Sequence, residues 1–368
     1  MNQIAGAGGA TFLVTFLAIV ALRPLAYAVD LVDRPGGHKT HHGEVPLMGG
    51  LAMFLGIVFG LSLAIGGSRE FSHLLLAGTL LVVVGMLDDR FNLSPWIRLI
   101  VQFGATLPII LGTDMLVTSL GDPFGLGEIE LGIWAAPFTS LLIMSAINAF
   151  NMLDGMDGLA GGVALVTFLV LAGVAAFAGQ AGIFAHSMIM IGAVSAFLIF
   201  NAPLHFNQHM RCFMGDAGST ILGFFVALVC VELTQEPASV LPPVTVLWLI
   251  DWPLFELLWS TTRRIIAGRS PFRADNQHFH HVLTRNGFGV RSIFVISISV
   301  SALFAVAGLL MNRLRAPEWV SLGLLLLLGP GVVYLVSRST MFLQLVPPAY
   351  RRRASAPRGK VLRDSGGS

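Results

Sequence analysis

The chain has 368 residues, 55% of them hydrophobic and only 11% charged, with a formal net charge of +2 and a mean hydropathy of +0.79. A soluble domain carries about 25% charged residues, so this composition excludes a water-soluble protein and sets the chain in lipid. A charge so near neutrality gives no sign of a nucleic-acid partner, and two cysteines, Cys212 and Cys230, are too few for a disulfide framework.

In chain order, apolar runs cover Ala5–Val29, Pro46–Ile65, Leu74–Leu87, Ile97–Leu111, Ile133–Phe150, Leu159–Ala178, Ile183–Phe200, Ala217–Val231, Leu241–Ser260, Ile293–Met311 and Trp319–Val336. Each is long enough, or nearly so, to cross about 30 Å of hydrocarbon as a helix. The predicted fold is therefore all-α and polytopic, with about eleven transmembrane helices. The 41 glycines and 18 prolines fit it, since both are commoner in membrane helices than in soluble ones. The first run reads as a retained helix rather than a signal peptide, because no Lys or Arg precedes it and Arg23 follows.

Basic residues mark the cytoplasmic side. With the N-terminus outside, every Lys and Arg falls in the inner loops or the tail except Arg23, Arg69, Arg313 and Arg315, and the C-terminus is cytoplasmic. Residues 1–340 are expected to form one catalytic membrane domain with five inner loops, and 341–368 a disordered basic tail beside anionic lipid. The outer segment Gly112–Gly132 reads as a loop or hairpin without chemistry.

The polar clusters fall on that same inner side. In NAFNMLDGMDG, Asn148, Asn151, Asp154 and Asp157 end an apolar run, and Gly155 and Gly158 make a ligand-approaching loop more natural there than a continued helix. A single helix cap would need one such residue, not four. Asp88 and Asp89 are adjacent carboxylates whose repulsion one hard cation or one raised pKa would relieve. Asp216, between Gly215 and Gly218, can offer oxygen to Mg²⁺ or cap a helix. His278, His280 and His281 join Arg263, Arg264, Arg269 and Arg273 in a dense cationic patch suited to a diphosphate, with zinc as the rival reading. Lys39, His38, His41 and His42 add a smaller basic cluster in the first inner loop. Together these loops suit phosphoryl transfer from a cytosolic phosphorylated donor to a lipid. An ion-coupled transporter of a sugar lipid is the alternative, but the carboxylates sit at loop ends and the chain shows no repeat.

The motifs DDRFNLS, NAFNMLDGMDGLAGG, FMGDAGS and HFHHVL resemble those of the polyprenyl-phosphate N-acetylhexosamine-1-phosphate transferases over about Asp33 to Gly287. The last inner loop, SPFRADNQHFHH, is similar to the WecA-type branch, which moves GlcNAc-1-phosphate from UDP-GlcNAc to undecaprenyl phosphate and so starts O-antigen, common-antigen or teichoic-acid linkage polymers. The resemblance implies a multi-pass enzyme of the bacterial inner membrane that uses Mg²⁺, or Mn²⁺ in its stead, with a homodimer as one assembly. It implies Asp216 and Asp89 as metal ligands, Asp88, Asp89 and Asp154 as catalytic residues, and one of the Asp88/Asp89 pair as base. For substrate it implies Lys39, His41, Asn148, Asn151, Asp157, Phe213, Arg264, His278, His280 and His281, with Asp157 and Phe213 at the uracil. His38 stands where the branch usually has Arg, and Asp251 and Trp252 replace small apolar residues. These changes bear on the choice among UDP-N-acetylhexosamines. Asp251 and Glu256, inside the ninth apolar run, have no assigned role at this point.

Overall fold

In a computed structural model of the chain, which describes residues 2–34, 43–113, 115–204, 210–268, 270 and 278–337, each apolar run folds as helix. The helices are α1 (Asn2–Ala28), α2 (Gly49–Ile65), α3 (Arg69–Phe91), α4 (Pro95–Gly112), α5 (Ala135–Leu153), α6 (Leu159–Phe177) and α7 (Ala181–Asn201). Beyond them come α8 (Gly215–Thr234), α9 (Pro243–Leu249), α10 (Asp251–Ile266), α11 (Phe279–Arg285), α12 (Val290–Arg313) and α13 (Glu318–Ser337). Among the described residues eight helices are long and apolar enough to cross a membrane, while α2 and the apolar part of α13 are shorter. Lys39 and His41 lie outside the described residues, as do His38, His42, Arg269, Arg273 and the basic tail.

The ninth run is not one helix. It breaks at Ile250 into α9 and α10. Pro253 explains the break: it has no N–H to offer the Leu249 carbonyl four residues back, and its ring collides with that carbonyl in a continuous helix.

The core forms around α8, which is apolar on all sides and packs against α2, α3, α5 and α6. Its first turn is pressed close to α3, because Gly85 faces the Ala217 backbone and a β-carbon there would collide with it. The first helix lies along α2 and α7. Between α4 and α5 the chain forms a hairpin, with Leu120 donating to the Ile129 carbonyl at 3.0 Å and Leu131 to Thr118 at 2.8 Å. Gln235, just beyond α8, pins this hairpin through the amides of Thr118 and Ser119.

At one end of the bundle, described parts of several loops are bonded to one another. Two short strands, β1 (Val32–Asp33) and β2 (Val45–Pro46), pair antiparallel after α1. Phe213 donates to the Pro46 carbonyl at 2.9 Å and Gly49 to that of Phe213 at 3.0 Å, which locks the segment before α2 to the segment before α8. Asn201 joins the turn before α6 to the segment before α8: Gly158 N–H donates to its Oδ1 at 2.7 Å, and its Nδ2 donates to the Cys212 carbonyl at 2.9 Å. Gly158 has φ +75°, and a β-carbon would meet Phe294 and Pro203 at 2.9 Å, so only glycine fits this turn.

Candidate active site

Four carboxylates meet where α3 and α5 end and α8 begins. Asp89, in the last turn of α3, accepts the Asp216 N–H at 2.8 Å and so caps α8 from another helix, where its charge faces the positive end of the dipole. Its second oxygen, Oδ2, is buried with no hydrogen-bond partner among the described residues. Asp216 accepts from Asn151 Nδ2 at 2.5 Å, and the same amide reaches Ser219 Oγ at 3.1 Å. Asp154 occupies the C-cap of α5, and α6 does not start until Leu159, so the stretch between is a loop as expected. Burial and the neighbouring Asp216 push its carboxyl up to about 7.

Asp88 and Asp89 are not equivalent. Asp88 accepts from the Leu93 N–H at 2.7 Å and from Arg98 at 2.9 Å, which occupies both of its oxygens. Asp89 is therefore the member of the pair that keeps a carboxylate oxygen open toward the cluster. Asp88, Arg98, Gln102, Asn148, Asn151 and Asp216 line a cleft together with the apolar Leu81, Val84 and Val101. Asn148 is fixed there by donating to Gln102 at 2.8 Å. A cleft lined by both charged and apolar side chains suits an amphiphile with an anionic head.

The crowding of Asp89, Asp154 and Asp216 tests for a cation. Their oxygens are hard donors of the kind a divalent ion takes, one of them buried without a hydrogen-bond partner among the described residues, whereas the described residues whose ligand atoms all lie within 4.8 Å of one another are Glu70, His186 and Glu232. Cys212 is buried, its thiol pushed up to about 12 by burial.

Asp157 forms an ion pair with Arg211, whose guanidinium lies 5.6 Å from the centre of the Phe213 ring. Asp157 and Phe213 are thus in one cluster, and Arg211 is an unforeseen member of it. On the far side, His280 backs onto the third loop at Gly155, where a β-carbon would strike its ring. The rings of His278 and His280 stack 5.8 Å apart, and those of His280 and His281 lie 4.2 Å apart. Arg264 is buried in α10 nearby.

Among the histidines His280 stands apart: burial, then the two neighbouring imidazoles, push it down to about 3, and both ring nitrogens lack a hydrogen-bond partner among the described residues. It is a neutral ring in the wall of the site. Sequence reasoning left Arg98 and Arg211 as mere topology markers, and gave no role to Gln102, Asn201 or Ser219. Arg98 carried a faint signal, standing one turn into a helix opposite a paired carboxylate; the others depend on contacts between distant segments.

The sequence pattern of the glycosyl transferase family 4 matches residues 71–234, which span α3 to α8 and hold all four carboxylates. The undecaprenyl-phosphate alpha-N-acetylglucosaminyl 1-phosphate transferase of Yersinia pestis is 35% identical over 350 residues, 95% of this chain and 96% of that protein. The protein of the same name from Escherichia coli K12 is 36% identical over 93% of each chain. That of Haemophilus influenzae is 34% identical over 84% of this chain and 87% of its own.

Proposed function

Because the chain belongs to the glycosyl transferase family 4, among the undecaprenyl-phosphate N-acetylglucosaminyl 1-phosphate transferases, we propose that it transfers GlcNAc-1-phosphate from UDP-GlcNAc to undecaprenyl phosphate, releasing UMP. The observation that carries this reading is the meeting of Asp88, Asp89, Asp154 and Asp216, of which Asp88 and Asp216 line a cleft shared with apolar side chains. It brings anionic chemistry to the place where a lipid can enter.

The acceptor phosphate is an anion at neutral pH and can attack directly. An oxygen of the lipid phosphate bonds to the sugar-linked phosphorus, the bond from that phosphorus to the bridging oxygen breaks, and UMP departs with the electron pair. Arg98, in the lining of the cleft, draws in the lipid phosphate, and Leu81, Val84 and Val101 take the first part of its chain. Asp88 holds Arg98 in place at 2.9 Å. Asp89, with its open oxygen, is the member of the pair placed to take a proton from the acceptor when that phosphate arrives protonated. Asn151 orients Asp216. Asp157 and Phe213 receive the uracil by hydrogen bond and stacking, with Arg211 alongside. His278, His281 and Arg264 face the donor diphosphate; charge neutralisation of this kind supplies most of the catalysis in phosphoryl transfer.

Mg²⁺, with Mn²⁺ able to replace it, would be held by Asp216 and Asp89 with Asp154 beside them, and would supply neutralisation of the diphosphate charge. The reading further places eleven spans in the bacterial inner membrane, with the N-terminus outside and the five loops in the cytoplasm, where nucleotide sugars are. The deciding experiment incubates the purified protein with undecaprenyl phosphate, Mg²⁺ and a panel of radiolabelled UDP-sugars. Lipid-linked label from UDP-GlcNAc together with stoichiometric UMP is expected; label from another UDP-N-acetylhexosamine alone would reassign the donor.

A further inference from the structure

Glu256 is a carboxylate with no exposed surface, in the half-span α10, an element separate from those that carry Asp88, Asp89, Asp154 and Asp216. A buried charge at this depth is costly unless it is fully paired. It is paired in a particular way. One oxygen accepts from His278 Nδ1 at 2.5 Å and lies 3.5 Å from the Ser260 hydroxyl; the other accepts from the Phe279 N–H at 3.1 Å. Ser260 Oγ in turn lies 3.3 Å from His278 Nδ1. His278 offers no side-chain cap to α11, so Glu256 caps that helix from outside while gripping the residue in front of it.

The geometry points to Glu256 as a positioning residue for the donor-binding histidines, acting through His278. Two consequences follow from the contact pattern. The carboxylate fixes the Nδ1–H tautomer and turns Nε2 away from α10, as a carboxylate commonly does for a working histidine. It also closes the long connection between α10 and α11, so that His280 is set against Gly155 and the histidine loop is held against the loop that carries Asp154. The neutral His280 ring is the spacer in this arrangement, stacked on His278 on one side. This inference rests on the transferase reading above and deepens it by saying what orients the donor side of the site.

The test compares E256Q with wild type in a background with His278 and in one without it. Glutamine keeps the size of the side chain and an acceptor for Phe279, but cannot hold a positive or Nδ1-protonated imidazole as a carboxylate does. E256Q is expected to lower kcat/KM for UDP-GlcNAc by about tenfold or more, with the KM for undecaprenyl phosphate within about twofold of wild type and the melting temperature in detergent little changed. In an H278A background the same substitution should cost less than about threefold, because the residue it acts through is gone. Should E256Q fail to fold, E256D, which keeps the charge and shortens its reach, takes its place in the same two-background comparison. An undiminished loss on H278A, equal loss toward both substrates, or wild-type kinetics in E256Q would each overturn the inference. Those outcomes leave the transferase reading intact as long as the wild-type protein labels lipid from UDP-GlcNAc; absence of that label in wild type would instead remove the reading itself.

Discussion

Asp154 ends α5 beside Asp216, and its carboxyl titrates at about 7 instead of the usual 3.8. The folded-state value is the higher one, so ionisation costs stability: the penalty is absent below about pH 4, grows as pH rises, and levels off above about 7. In EDTA, D154N should therefore melt at least ~2 °C higher than wild type at pH 8 and level with it near pH 4, while losing transfer activity. A thermal unfolding series across pH checks this. The same proton opposes a cation, so Mg²⁺ affinity should fall as pH drops through 7, with proton release on binding detectable by titration calorimetry in buffers of different ionisation heat. D216N is expected to lower kcat by at least ~10²-fold with the fold retained, and wild-type turnover in EDTA would remove the metal role. At this scale the sequence displayed the carboxylates but not their division of labour. Asp88 and Asp89 are identical letters, and only Leu93 and Arg98 around one of them, and the α8 terminus around the other, tell them apart. The burial of His280 is likewise not written in its name.

Hydropathy located the helices well, since a run of apolar residues in lipid has no way but helix to satisfy its backbone. It missed the break at Ile250 because averaging over a window hides what one proline does to one carbonyl. It also left Glu256 unexplained, as its partners lie in another element. The loops between helices were legible as polar segments, and their mutual stitching was not. Asn201 shows what that stitching is worth: N201A would orphan the Gly158 N–H and the Cys212 carbonyl, at about 1–3 kcal/mol for buried groups left unpaired. A lowered detergent melting temperature together with reduced transfer is the expected result. N201D, which keeps only the acceptor, should fall between N201A and wild type.

Across the bundle, the chemistry is at one end and a different polar group at the other. Glu70 begins α3 and Glu232 ends α8, whereas Asp89 and Asp216 sit at the opposite ends of those same helices. Between the two glutamates lies His186 of α7, 3.1 Å from Glu232 and 3.7 Å from Glu70. H186A should lower the melting temperature and leave kcat unchanged, since it unties three helices far from the cleft. Orientation is checked by cysteine labelling of intact cells: position 154 should be shielded and position 124, in the hairpin, reachable. The interlock of α1 with α7, where Gly8 faces the Met188 backbone and Gly192 faces the Gly8 carbonyl, reaches into the history of each molecule. A ribosome adding about 5–20 residues per second releases α1 on the order of ten seconds or more before its partner exists. Until then the first helix must wait in the bilayer with its glycine face covered by lipid or by the insertion machinery. The carboxylates then emerge one at a time, and the histidines last of all. Each newly made chain thus passes most of its synthesis without the histidine side of the carboxylate cluster, which is added only when α11 has cleared the ribosome.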